Sequence, residues 1–275
     1  MSSTKDGATH YNHHQIILAS EQGQDEFVKF LLDQGADPNA QDQNRGTALL
    51  AASELGHDTI VQLLLEAGAD VNGQGCREEG EGLCPLYKAS MEGHDKIVQM
   101  LLAAGADVNV ECGFFGSALS AAVARDHDPI VQVLLSRNAD VNSKSVYCGS
   151  ALLLATFQGD EKKVKLLLDH GADVNAEDAD FGTALLVASE DGSRETVQVL
   201  LDGGADIDAQ CRDGENALYA SSSAGHDKVV RLLLEKGADI NARCGQHNSA
   251  LHAAFANGHD LVVQILLDNG ANAHA

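Results

Sequence analysis

The phrase Gly-Ala-Asp-x-Asn returns along this chain at a fixed interval. It reads GADPN at Gly35, GADVN at Gly68 and Gly105, NADVN at Asn138, GADVN at Gly171, GADID at Gly204, GADIN at Gly237 and GANAH at Gly270. Consecutive starts are 33 residues apart, except for the 37 between Gly68 and Gly105. A period of this size constrains the fold more than composition does. A unit so short cannot hide its own apolar face, so it must stack on copies of itself into a solenoid.

The local signals rebuild one unit. Ala48-Leu49-Leu50-Ala51-Ala52-Ser53-Glu54 reads as a short helix of small residues, closed by Gly56 in the left-handed conformation. His57-Asp58 then opens a second helix. Asp58 and its counterparts Asp25, Asp95, Asp128, Asp227 and Asp260 place negative charge at the positive end of the helix dipole. Ile60, Val61, Leu63 and Leu64 recur at helical spacing and are expected to face the core, and Gly68 ends the helix. The Asn, Asp and Gly residues that follow predict a projecting hairpin.

Eight such units cover residues 7–39, 40–72, 73–109, 110–142, 143–175, 176–208, 209–241 and 242–274, so residues 1–275 are expected to form a single domain without a linker. The period, the GADxN phrase and the two-helix layout together resemble the ankyrin-repeat family along the whole chain. The resemblance implies an all-α repeat solenoid of helix-turn-helix units with projecting hairpins. It also implies a non-catalytic protein-binding scaffold that uses the concave face of hairpins and first helices. The family's Thr-Pro-Leu-His tetrapeptide is mostly replaced here by Gly-x-Ala-Leu, as in Gly116-Ser117-Ala118-Leu119. Only Pro85 keeps the proline and only His252 the histidine. This variant is similar to ankyrin arrays of fungal proteins, including the sensor ends of fungal nucleotide-binding receptors.

Forty-one acidic residues against 18 basic ones give a formal charge of -23. That field repels nucleic acid and anionic membranes, keeps a long array monomeric, and favours a protein partner with a basic face. No apolar run is long enough to span a bilayer, and the first residues lack a signal-peptide core, which predicts a cytoplasmic or nuclear setting with reduced thiols.

No residue pattern points to catalysis, a cofactor or a metal. His57, His94, His127, His226 and His259 share one repeat slot, which predicts a structural hydrogen bond. His10, His13 and His14 cluster without a fourth metal ligand. Ser221, Ser222 and Ser223 stand near His226 and Asp227, but Ser222 matches Ser53, Ser90 and Ser189 and belongs to a first helix rather than a triad. There is no phosphate-binding GxxxxGK[ST] loop. Cys76, Cys84, Cys112, Cys148, Cys211 and Cys244 contain no CxxC pair. Cys211 and Cys244, one unit apart, are expected to stay unbridged, and Cys76 with Cys84 in the enlarged third hairpin is the pair expected to join under oxidation.

Three features depart from the repeat average. The third hairpin carries four extra residues and presents Glu78, Glu79 and Glu81, which marks either a binding finger or a tolerated loop. The fourth unit has Asp126 and Asn138 where other units have glycine. Phe114, Phe115, Tyr147, Phe157 and Phe181 gather mid-chain although only 4% of residues are aromatic. Phe115 and Phe181 are expected to pack between hairpins. Phe114, Tyr147 and Phe157 are then the candidate partner-binding patch, with Arg125 and Lys144 as polar contacts and Glu78 and Glu79 beside them. The last helix is as apolar as the internal ones, so the array also reads as the sensor fragment of a larger receptor, while an enzyme using the concave groove is the remaining alternative.

Overall fold

The computed structural model describes residues 14–42, 45–76, 82–211 and 214–272. First helices open on a side chain that accepts a hydrogen bond from the amide three residues on. Thr47, Ser117, Ser150, Thr183, Asn216 and Ser249 all do so, which satisfies one of the orphan donors at the helix start. Cys84 is the exception. It closes no cap bond, and Pro85 follows it at the position where a missing N–H costs nothing.

The chain divides into two compact units, Met1–Cys148 and Gly149–Ala275. In the first, the first helices are α1 (14–21), α3 (Ala48–Leu55), α5 (Pro85–Glu92) and α7 (Ala118–Ala124). The second helices are α2 (Asp25–Asp33), α4 (Asp58–Glu66), α6 (Asp95–Ala103) and α8 (Asp128–Ser136). Strands β1 (Gln41–Asp42) and β2 (Gly46–Thr47) pair antiparallel with Gln41 opposite Thr47; β3 (Gly75–Cys76) and β4 (Gly82–Leu83) pair with Gly75 opposite Leu83. Strand β5 (Lys144–Ser145) ends this unit. The second unit holds β6 (Gly149–Ser150) and first helices α9 (Ala151–Phe157), α11 (Ala184–Asp191), α13 (Ala217–Ala224) and α15 (Ala250–Ala256). Its second helices are α10 (Glu161–Asp169), α12 (Arg194–Asp202), α14 (Asp227–Glu235) and α16 (Asp260–Asp268).

Within each unit, first helices stack on first helices and second on second, as in α3–α5–α7 and α10–α12–α14–α16. Close approach of the first helices follows from their small residues: Ala48, Ala51, Ala52 and Ser53 are all buried. The second helices supply the larger aliphatics, with Ile60, Val61 and Leu64 fully enclosed as their spacing predicts and Leu63, also expected in the core, only half-buried. Among the described residues no helix is long and apolar enough to cross a membrane.

The repeated GADxN phrase is the ladder between neighbours. Its Asp carboxylate accepts from the amide two residues on, as Asp37 does from Asn39. The Asn then reaches the next repeat: Asn39 donates to the carbonyl of Gly68 and accepts from the amide of Asp70. Where the sixth repeat has Asp208 instead, the acceptor half survives, with the Asp239 amide 3.0 Å away, but a carboxylate has no N–H to donate.

Gly-His pairs are coupled across repeats as well. The Nε2 of His57, His94 and His127 lies 3.0–3.2 Å from the carbonyls of Glu21, Glu54 and Met91, and His226 and His259 do the same to Glu190 and Ser223. Each ring also sits where a Cβ on the preceding repeat's terminal glycine would be; at Gly93 it would meet the His127 ring at 2.5 Å. Glycine is thus needed twice there, for its positive φ and for the imidazole beside it.

Candidate partner-binding face

The fourth hairpin is built on a buried tyrosine. Tyr87, on α5 and 1% exposed, lies under Gly113, where a Cβ would come within 2.2 Å of the phenol ring. Its hydroxyl accepts a hydrogen bond from the Phe115 amide, and the Gly113 amide donates to the Gly82 carbonyl at 3.1 Å. With the turn pinned from below, Phe115 is half-buried and Phe114 is turned outward, 48% exposed.

Ser145 links this turn to the next. Its Oγ donates to the Phe114 carbonyl at 2.7 Å and accepts from the Tyr147 amide at 3.0 Å. That single hydroxyl brings two aromatic side chains of adjacent hairpins together: the Phe114 and Tyr147 rings stack with centroids 5.1 Å apart and planes 9° from parallel, and Phe115 meets Phe114 edge-on at 5.3 Å. Beside the stack lies a groove of about 350 Å³ whose lining includes Glu111, Cys112, Lys144 and Val146. Tyr147 and Val146 are 57% and 90% exposed, so the hairpin edge presents an apolar ledge to solvent.

This geometry of helix pairs, turns and an Asn ladder is matched by a family model. The model described as Ankyrin repeats (3 copies) aligns with residues 16–112, 113–178 and 185–275. The chain belongs to the ankyrin-repeat family. It is similar to the ankyrin-repeat domain of human ASB11, at 29% identity and a TM-score of 0.67, over 82% of this chain and 98% of that one. No curated protein matches it. Ankyrin repeats are generally protein–protein interaction modules.

In this ankyrin-repeat protein the candidate residues fall into separate groups. Phe114, Tyr147 and Lys144 share the fourth and fifth hairpins. Arg125 is exposed at the end of α7, and no ring contact joins it to Phe114 or Tyr147 among the described residues. Phe157, in the second unit, is 48% exposed at the end of α9 and meets the half-buried Phe181 edge-on at 5.1 Å. The turn carrying Phe181 is fixed by Asp178, whose carboxylate accepts from the amides of Asp180 and Phe181. Glu78, Glu79 and Glu81 lie outside the described residues.

Several acidic groups are engaged within their own unit. Glu54 pairs with Lys88 at 2.9 Å with both side chains largely buried, and Asp191 accepts from Ser193. Asp160 is held below the usual carboxylate value: burial opposes its charge, but the Lys163 amide and ammonium and the Lys162 amide outweigh that cost.

Two features were not singled out from the sequence. Phe27 and Phe30 stack on the outer side of α2 with centroids 6.3 Å apart, the i, i+3 spacing being their only sequence signal. Cys84 has a neighbour in the fourth hairpin, with its Sγ 2.6 Å from that of Cys112; the side chain of Cys76, the other cysteine of its own hairpin, lies outside what the structure describes. A Ser–His contact also occurs, Ser249 Oγ to His252 Nδ1 at 2.9 Å. It is a helix cap, because the same Oγ accepts from the His252 amide and Ser117 meets Ser120 in the same way. Ser221 donates to the carbonyls of Ala217 and Leu218, which removes it from any nucleophilic arrangement.

Proposed function

We propose that the protein is a non-catalytic scaffold that binds a protein with a basic face on its hairpin and first-helix surface. The observation that carries this reading is the exposed Phe114–Tyr147 stack. Phe114 and Tyr147 are 48% and 57% exposed, stack on one another across adjacent hairpins and lie beside a groove rimmed by Glu111 and Lys144. Phe157 is a separate candidate anchor within the second unit and Arg125 a candidate polar contact at the end of α7, while Glu78 and Glu79 are candidate contacts from the sequence alone. The formal charge of -23 selects for a cationic partner and speeds its approach.

The test compares wild type with the F114A/Y147A/F157A variant in partner capture followed by mass spectrometry, and measures affinity for the captured protein as salt rises. Capture should fail in the variant while helical circular dichroism and the melting temperature hold. Binding should weaken as screening shortens the reach of the field. Normal capture by the variant would place recognition elsewhere, and salt-independent binding would assign the charge to solubility alone.

A second reading is favoured by one observation. Phe255, Leu261 and Leu267 are 74%, 57% and 44% exposed on the last helix pair, where a capping repeat would be polar. That face supports a sensor section of a larger receptor, with a further repeat packed on α15 and α16. Appending one consensus repeat should raise the melting temperature and quench hydrophobic-dye binding; an unchanged dye signal would remove this reading.

A further inference from the structure

We infer that Cys84 and Cys112 form a peroxide-responsive dithiol whose oxidation staples the third repeat to the fourth. The two residues are 28 positions apart, both buried, and their sulfurs are 2.6 Å apart, within about half an ångström of a disulfide bond length of ~2.05 Å. Both are free cysteines.

The approach is set by the backbone. At two later first helices the residue at the helix start likewise lies against a hairpin residue 28 positions on: Thr183 Oγ1 is 3.8 Å from Cys211 Sγ, and Asn216 Oδ1 is 3.7 Å from Cys244 Sγ. Only at the third repeat, among the described residues, is the helix-start residue itself a cysteine. The Gly113 amide, bonded to the Gly82 carbonyl, clamps the two hairpins one residue beyond Cys112. No repacking is needed to bring the sulfurs together.

The pair is chemically asymmetric. The hydrogen bond from the Cys112 thiol lowers the pKa of Cys84 and favours its thiolate against the cost of burial, helped by the amides of Tyr87, Cys84 and Leu86 at the start of α5; the pKa of Cys112 is raised by that same bond and by burial. Cys112 lines the groove beside the aromatic stack, and the Cys84 sulfur is 2.6 Å from that of Cys112. The groove at Cys112 is the side from which a small oxidant such as hydrogen peroxide would reach the pair.

The Cys84 thiolate attacks one peroxide oxygen, the O–O bond breaks, and hydroxide leaves to be protonated to water. The sulfur of Cys112 then attacks the resulting sulfenic acid. The S–O bond breaks, the S–S bond forms, and the thiol proton leaves with the hydroxyl as a second water. Two thiols are oxidised and one peroxide is reduced, and a dithiol reductant reverses the step.

The experiment treats the full chain with hydrogen peroxide, alkylates remaining thiols, and maps peptides without reduction. The expected product joins the Cys84 and Cys112 peptides with the loss of two hydrogens, disappears with dithiothreitol, and consumes two thiols per peroxide. Its thermal midpoint should exceed that of the reduced chain by several degrees, because the link closes a long loop. C84T and C112S, which install the residues used at Thr47 and Ser145, should fold, give no linked peptide and show no oxidant-dependent shift. Alkylation of both cysteines after peroxide in a chain with native circular dichroism would overturn the inference. So would their separate oxidation to sulfinic acids, or linkage of Cys84 to Cys76 or Cys148.

Discussion

The junction between the third and fourth repeats and that between the seventh and eighth share nearly the same parts, four repeats apart. Tyr87 and Tyr219 are the buried floors, and Gly113 and Gly245 lie over them with any Cβ at 2.2 Å from the ring. The glycine amides donate to the Gly82 and Gly214 carbonyls at 3.1 and 3.2 Å. Cys112 and Cys244 fill the same hairpin slot. The helix starts differ: Asn216 caps α13 by accepting from the Tyr219 amide at 2.9 Å, whereas Cys84 caps nothing. That one substitution decides whether the slot cysteine meets a second thiol: Cys112 and Cys244 are both pushed up, but only Cys112 has another cysteine, Cys84, beside it. The Cys244 thiol is pushed up to about 11 by burial and by the carboxylates of Glu215, Asp239 and Asp208, while Cys84 is drawn down by a second thiol. A repeat architecture conserves geometry and lets a single side chain decide what that geometry does.

The helix ends of the two regions differ too. The fourth repeat places Asp126 and Asn138 at φ 60° and 59°, where the eighth has Gly258 and Gly270 at 75° and 93°. Conversely, the eighth repeat has Asn248 at φ 64° where the fourth has Gly116 at 80°. The backbone takes the left-handed turn whatever residue is supplied, because the stacked neighbours over-determine it.

The largest effect should come from the shared floor. G113A and G245A each combine a left-handed alanine with a clash against a buried ring, and each should cost roughly 3 kcal/mol in urea unfolding. Equal losses sharpen the comparison; a much smaller loss at either site would mean that its tyrosine can move aside. Exchanging the helix starts comes next. C84T gains the cap seen at Thr47 and should stabilise the reduced chain by ~1 kcal/mol, whereas N216C should lose about as much. After peroxide, N216C should also yield a linkage to Cys244, visible by peptide mapping; failure to link would show that the sulfur approach is peculiar to the third repeat.

Giving the fourth repeat the glycines of the eighth is a smaller change. D126G and N138G should each add about 0.5 kcal/mol, since Asp and Asn already tolerate this region and glycine costs entropy in the unfolded chain. An unchanged or lower melting temperature would show that other contacts of these side chains outweigh the strain. The smallest effect is in the pH profile. A thiol whose folded pKa is raised keeps its proton on folding, so its contribution is fully present below its ordinary value of 9.0 and is lost as pH rises towards about 11. The alkylation rate of Cys244 should reach half its maximum near the upper value, and C244S should flatten that part of the stability profile; a midpoint near 9.0 would contradict the burial.

Much of the fold was legible before any coordinates. The 33-residue beat, the Ala-rich first helices, the acidic starts of the second helices and the glycine stops are local signals, and each repeat prints them again. Even the exceptions at Asp126 and Asn138 were visible by register, and they adopt the positive φ that their slots demand. The candidate site was legible only in part. Composition and exposure patterns pointed to Phe114 and Tyr147, but their parallel stack depends on Ser145 bonding across two hairpins. The approach of Cys84 to Cys112 was not legible, because the two lie 28 residues apart and only the stacking of successive repeats brings them together.

Sequence alone therefore determined the repeat, the helix limits and the residues of each slot, since these follow from backbone propensity and from apolar spacing within some ten residues. Tertiary structure decided which side chains of one repeat meet those of the next. The 28-residue offset that joins Cys84 to Cys112, and the 36-residue offset that joins His57, His127, His226 and His259 to their carbonyls and becomes 40 for His94, are set by how successive repeats stack. That stacking is a packing solution for buried surfaces, and no residue carries it by itself.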